Sequence, residues 1–165
     1  MGITAPFPIS DSVVIDTFDC GTQSLNEFLI KKARKNEGNE ASRTFVVCAN
    51  NQVIGYYTLA TGSALRSTAP GKVRRNIPDP VPVIVIGRLA VDERWQGKSL
   101  GVGLLKDAIK RSIGISQQVG VRAIMVHALP EAISFYERWD FVSSPTNETT
   151  LFLRVNDAIS ILAHQ

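Results

Sequence analysis

Residues 94–103 read RWQGKSLGVG, so three glycines and a lysine fall within the seven positions 97–103. The run before it, PVIVIGRLAV (82–91), is rich in β-branched residues and apolar but for Arg88, the mark of a strand buried on both faces. After it, Leu100, Leu104, Leu105, Ala108, Ile109 and Ile113 recur at helical spacing and predict one inward face. A buried strand, a glycine turn and a helix start therefore follow one another. A helix start leaves backbone N–H groups unpaired and carries a partial positive charge. Glycines let an anion approach those donors closely, and Lys98 adds a cation of free geometry. The stretch predicts a phosphate cradle, although it lacks both the GxxxxGK[ST] and the GxGxxG spacing.

Outward from this stretch the chain alternates helical and extended patterns. TQSLNEFLIKKARKN (22–36) predicts a helix, with Ser24 and Glu27 at capping-box spacing and Leu25, Phe28, Leu29 and Ala33 as its apolar stripe. TFVVCA and VIGYYTLA flank Asn50-Asn51 and predict a hairpin. Residues 61–80, rich in Gly, Pro, Ser and Arg, are the least regular part and read as a long loop, either functional or disordered. AIMVHA (123–128) predicts a strand, Pro130 opens a helix over EAISFYERW, and TLFLRV (150–155) predicts a last strand before a short helix. This order gives an α/β (α+β) fold with a mixed sheet, in one domain over 1–165.

The bulk numbers set limits on function. With 44% hydrophobic and 20% charged residues the composition is that of an ordinary globular protein. No apolar run approaches the roughly 18 residues of a membrane span, so no membrane association is expected. MGITAPFPISDS lacks the pattern of a secretory leader, and Pro6 stands where myristoylation wants Ser or Thr. Cys20 and Cys48 have no partners at metal spacing, which predicts a reduced, cytoplasmic protein without a metal site. Net charge is only +3, but KKARK (31–35) packs four cations into five residues. Arg66, Lys72, Arg74 and Arg75 form a second basic group with no acidic residue between 64 and 78. One such cluster alone reads as a solvated face or loop; two make nucleic acid a candidate partner.

Gln96-Gly97-Lys98-Ser99-Leu100-Gly101 matches the acyl-coenzyme A signature [QR]-x-x-G-x-[GA] of GNAT acetyltransferases, with Ser99 where another glycine is usual. Together with LAVDERWQGKSLGVGLL and PEAISFYERWDF, the chain from about 25 to 155 resembles that superfamily. The resemblance implies the GNAT fold: a mixed, mostly antiparallel central sheet with splayed central strands, flanked by helices. It implies acetyl-CoA as co-substrate, with Leu89, Ala90 and Val91 offering backbone groups to the pantetheine arm. Gln96, Gly97, Lys98, Ser99, Leu100, Gly101, Val102 and Gly103 would hold the pyrophosphate, with Phe135 as a further contact. Tyr136 would be the acid that protonates the departing thiolate, which suits a phenol of pKa about 10. Ser99 is expected to serve if its φ stays negative, and Asp140, where glycine is common, to tolerate a left-handed turn.

No general base is evident. His127 closes an interior strand and reads as a packed or hydrogen-bonded core residue, and His164 lies near the end. Without a base the acceptor amine must already be neutral to a substantial degree, which favours an α-amine over a lysine. SLNEFLIKKARKNEGNEASRTFVV and VIVIGRLAVDERWQGKSLG further resemble the GNAT toxins of bacterial type II toxin–antitoxin systems. That resemblance implies acetylation of aminoacyl-tRNA, a homodimer, a ribbon-helix-helix antitoxin, and Lys31, Lys32, Arg34, Lys35, Arg74 and Arg75 as phosphate contacts. The alternatives are acetylation of a protein N-terminus or small amine, and a non-catalytic RNA- or partner-binding module.

Overall fold

The computed structural model describes residues 2–164. Seven strands form one sheet in the order β1-β2-β3-β4-β5-β7-β6. Packing divides the chain into two compact units, residues 1–60 with 87–108, and residues 61–86 with 109 onward. Strands β3 (Gln52–Ala64) and β4 (Val81–Val91) and helix α4 (Leu100–Ser116) each run from one unit into the other. Among the described residues no helix is long and apolar enough to cross a membrane.

In the first unit β1 (Phe7–Pro8) pairs antiparallel with β2 (Arg43–Ala49), which pairs antiparallel with β3. Ala49 faces Gln52 across a two-residue turn in which Asn50 and Asn51 take φ of 52° and 65°. Asparagine tolerates this left-handed backbone, so the Asn-Asn pair fixes the hairpin register. The predicted helix forms in three pieces: α1 (Gln23–Glu27), a π-helical turn (Phe28–Lys32) and α2 (Ala33–Gly38). The expected capping box is absent. Thr22 is the N-cap, Ser24 lies inside the helix, and the Glu27 carboxylate accepts a bond from Gln23 instead. The apolar stripe does bury: Phe28, Leu29 and Ala33 pack with Phe18, Val46, Val53, Tyr56 and Ala90.

In the second unit β4 pairs parallel with β5 (Ala123–His127) over Val83–Ile86. Antiparallel to β5 runs β7 (Thr150–Arg154), and β6 (Val142–Ser143) completes that edge. Helices α5 (Ile133–Glu137) and α6 (Val155–Ala163) follow β5 and β7. Ala64, Ala69, Val73, Val81, Val83, Ala123, Met125 and Phe152 make the core of this unit. Residues 61–80 are more ordered than their composition suggests. Residues 61–64 extend β3, Arg66–Thr68 form a 3-10 turn and Gly71–Arg74 form helix α3. At Gly62 a Cβ would stand 2.8 Å from a Val85 methyl, so a glycine that reads as loop is here a strand position needing close approach.

Candidate active site

Strand β4 ends at Val91, and the next residues build a rigid entrance to the glycine stretch. The Asp92 side chain is only 1% exposed. Its Oδ1 accepts from the Arg94 backbone N–H and from Arg94 Nε, both at 3.0 Å. Its Oδ2 accepts from Arg94 Nη2 at 3.0 Å and from the Asp19 N–H at 3.1 Å. Burial pushes the Asp92 pKa up, but the bonds from Arg94 and Asp19 and the Arg94 charge outweigh it, leaving the carboxyl below its ordinary value. Asp19 in turn accepts from the Asn26 amide, and the Asn26 Oδ1 accepts from the Cys20 N–H. Gln96 Nε2 donates to the Val91 carbonyl at 2.8 Å and to the Cys20 carbonyl at 3.2 Å. Both donors of that amide are thereby engaged. Its side chain is a brace for the loop.

Beyond this brace the backbone opens. Gly97 takes φ of 79° and Ser99 takes 65°. The negative φ on which Ser99's fitness for this position was made to depend is not kept; the residue adopts the left-handed conformation for which glycine is the usual choice. The reason is local, because the chain must reverse at Ser99 to enter α4, whose first bond runs from the Gly103 N–H to the Ser99 carbonyl. Among the described residues, the N–H groups of 97–102 have no intramolecular acceptor. Six consecutive donors thus stand at the positive end of a helix of 17 residues. Residues 96–99 are exposed, and a Cβ at Gly97 or Gly103 would meet nothing within 4 Å. Lys98 is exposed as well, its ammonium 6.0 Å from the Trp95 ring centre. Open donors at a helix start are the general form of an anion-binding site. Of the preceding strand residues, Ala90 is buried while Leu89 and Val91 are half-buried.

In the second unit Tyr136 lies on α5 and is 6% exposed. Its ring meets Phe135 and Phe141 edge-on, with centres 5.1 and 5.5 Å away. Burial raises its pKa above the ordinary tyrosine value, so the phenol is protonated throughout the physiological range. Its carbonyl accepts the N–H groups of Trp139 and Phe141, closing the helix through Asp140 at φ 65°. Asp140 takes the left-handed turn as expected. His127 is exposed rather than packed, with Nδ1 3.3 Å from Thr150 Oγ1.

The basic candidates separate into two kinds. Lys31, Lys32 and Lys35 are exposed on the helical segment of the first unit, and Arg74 and Arg75 are exposed in the second. Arg34 differs. Its Nη2 donates to the carbonyls of Ser10 and Val13 at 2.9 and 2.7 Å, and its Nε lies 3.7 Å from Asp11. This arginine ties the N-terminal segment to the helix. Lys72 and Arg66 are also engaged, with Asp157 and with the Arg74 carbonyl. Sequence reading missed Asp19, Asn26 and Asp92, because their partners are distant in sequence and their types are common in loops. It also missed Arg88, whose guanidinium carbon lies 3.8 Å from the centre of the Phe28 ring.

Comparison with known proteins agrees with this geometry. The chain is 47% identical over 162 residues, 98% of each protein, to the tRNA-acetylating toxin of Mycobacterium tuberculosis (strain ATCC 25618 / H37Rv). AtaT complexed with acetyl-methionyl-tRNAfMet superposes with a TM-score of 0.89 at 30% identity, covering 98% of this chain and 99% of that one. An AtaT mutant toxin bound to the C-terminus of the antitoxin AtaR and acetyl-CoA gives 0.82 at 28% identity, covering 99% of each chain. Residues 16–151 match the acetyltransferase (GNAT) domain model, and the chain belongs to that family of acetyltransferases.

Proposed function

We propose that this protein is the toxin of a type II toxin–antitoxin system, moving the acetyl group of acetyl-CoA to the α-amine of aminoacyl-tRNA. The observation that carries the reading is the row of six open backbone donors at 97–102, on a chain similar to a tRNA-acetylating toxin and to AtaT complexed with acetyl-methionyl-tRNAfMet. Acetyl-CoA supplies the acetyl group as a thioester. Residues Gly97 to Val102 bind its pyrophosphate through backbone N–H groups, Lys98 adds charge, Gln96 braces the loop, and Leu89, Ala90 and Val91 line the pantetheine arm. We assign Tyr136 the proton that the departing sulfur takes up, held at Oη by a phenol that burial keeps protonated, with Phe135 beside it.

The acceptor follows from proton chemistry. At pH 7 a lysine amine of pKa about 10.4 is neutral in roughly 0.04% of molecules, whereas an α-amine at about 7.7–8.0 is neutral in roughly 9–17%. An ester on the carboxyl withdraws electrons and raises that fraction further. An aminoacyl ester therefore attacks without a strong base. Lys31, Lys32, Lys35, Arg74 and Arg75 are the cations we assign to the tRNA backbone. The reading includes a single catalytic domain, a homodimer, a ribbon-helix-helix antitoxin and a cytoplasmic setting, where charged tRNA resides.

Radiolabelled acetyl-CoA, offered with total charged tRNA, deacylated tRNA and peptides, tests the proposal. Label is expected on charged tRNA alone. Label on peptides and none on charged tRNA would refute it in favour of N-terminal acetylation.

A further inference from the structure

Arg88 is held by packing and leaves its hydrogen-bond donors open. Side chains alternate along β4, which puts Arg88 on the same face as Ala90, a member of the core that holds Phe28 and Tyr56. The Arg88 guanidinium covers the Phe28 ring. That ring stacks on Tyr56 at 6.2 Å and 16°, and Tyr56 meets Phe18 edge-on at 5.5 Å. Phe28 and Tyr56 are 2% and 0% exposed, so the platform is rigid. A stacked guanidinium uses its flat face, while its five N–H groups point outward in the plane. Among the described residues none of those donors has an acceptor or a carboxylate partner. Arg34, Arg122 and Arg154 are half-buried as Arg88 is, and each donates to an internal oxygen.

The segment that supplies Phe28 sharpens the contrast. It is a π turn, closed by the Ala33 N–H on the Phe28 carbonyl, and the same turn carries exposed Lys31 and Lys32. A planar fork over the Phe28 ring, with two exposed ammonium groups on the turn that supplies that ring, suits an oxyanion on a polyanionic chain. In an aminoacyl-tRNA the amino acid carboxylate is consumed as the ester, so the anions left near the reacting amine are phosphates. The donor's pyrophosphate has its own N–H groups at 97–102, and Arg88 alternates away from Leu89 and Val91.

We propose that Arg88, stacked on Phe28, grips a backbone phosphate near the 3′ end of the acceptor strand. The assignment rests on the acceptor reading given above. The test compares wild type with Arg88→Ala and Arg88→Lys, each checked by thermal melting. Kinetics are measured on charged tRNA, and tRNA binding is followed across a salt series. Arg88→Ala is expected to raise KM for charged tRNA about 10- to 100-fold, leaving KM for acetyl-CoA and kcat unchanged. It should also lower the log–log salt slope of tRNA binding by about 0.7–0.9, the share of one phosphate. Arg88→Lys keeps the charge and loses the fork, so it should fall between the two in KM and retain the slope. An unchanged slope in Arg88→Ala, a raised KM for acetyl-CoA, or a loss confined to kcat would overturn the proposal. If wild type leaves charged tRNA unlabelled, the acceptor reading falls alone. The salt slope then still decides whether Arg88 holds a phosphate.

Discussion

Replacing Ser99 with glycine should stabilise the protein. Ser99 takes φ of 65°, where an L-residue is disfavoured by about 1–2 kcal/mol relative to the right-handed region. Serine is exposed there, and no hydrogen bond to its hydroxyl offsets that strain among the described residues. Glycine removes the strain but loses about 0.5–1 kcal/mol through the greater freedom of the unfolded chain. The net gain is about 0.5–1 kcal/mol, or roughly 1–4 °C in Tm for a chain of this size. Ser99→Ala keeps the strained Cβ and should bring no gain, and Ser99→Val should lower Tm. Scanning fluorimetry on the three variants, with and without acetyl-CoA, reads all of these effects. Because the donor at this position is a backbone N–H, Ser99→Gly should bind acetyl-CoA within about threefold of wild type. A Ser99→Gly protein that melts at or below Ser99→Ala would refute the strain. A tenfold loss of acetyl-CoA affinity would show that the hydroxyl, rather than the backbone, meets the phosphate.

Three further outcomes are expected. Tyr136→Phe keeps the ring packing against Phe135 and Phe141, so Tm should hold while kcat drops about 100-fold or more and KM for acetyl-CoA stays within a few fold; full activity would remove Tyr136 from the chemistry. Asp92→Asn should cost about 1–3 kcal/mol at pH 7 by urea unfolding. Since the Asp92 pKa is lowered in the folded state, its contribution is present above the unfolded value near 4 and is lost as pH falls through the folded value. The gap between Asp92→Asn and wild type should therefore narrow in acid, and a constant gap would count against the Arg94 contacts as its source. Changing Lys31, Lys32 and Lys35 to glutamine should weaken tRNA binding and flatten its salt dependence with Tm unchanged, whereas Arg34→Gln should lower Tm, because Arg34 holds Ser10 and Val13. Equal effects of the two on Tm would erase that distinction.

The sequence by itself determined the elements whose causes are local. Asn50-Asn51 set the hairpin because asparagine accepts positive φ at both turn positions. The β-branched run of β4 and the helical spacing of Leu104, Leu105, Ala108 and Ile109 placed a buried strand before a buried helix face. That succession is enough to put open N–H groups at residues 97–102. Tyr136 could be named from its motif and its neutral phenol from the ordinary tyrosine pKa; only its burial, which raises that pKa further, is not revealed by pattern. Only the tertiary structure decided which polar groups are free. Arg34, Gln96 and Lys72 look like binding residues in the sequence and are engaged by Val13, Val91 and Asp157. Arg88 reads as an interruption of an apolar strand and emerges as an unpaired fork on an aromatic stack. The physical reason is that a side chain's availability depends on acceptors brought from far along the chain. Backbone propensity, by contrast, depends on the nearest few residues.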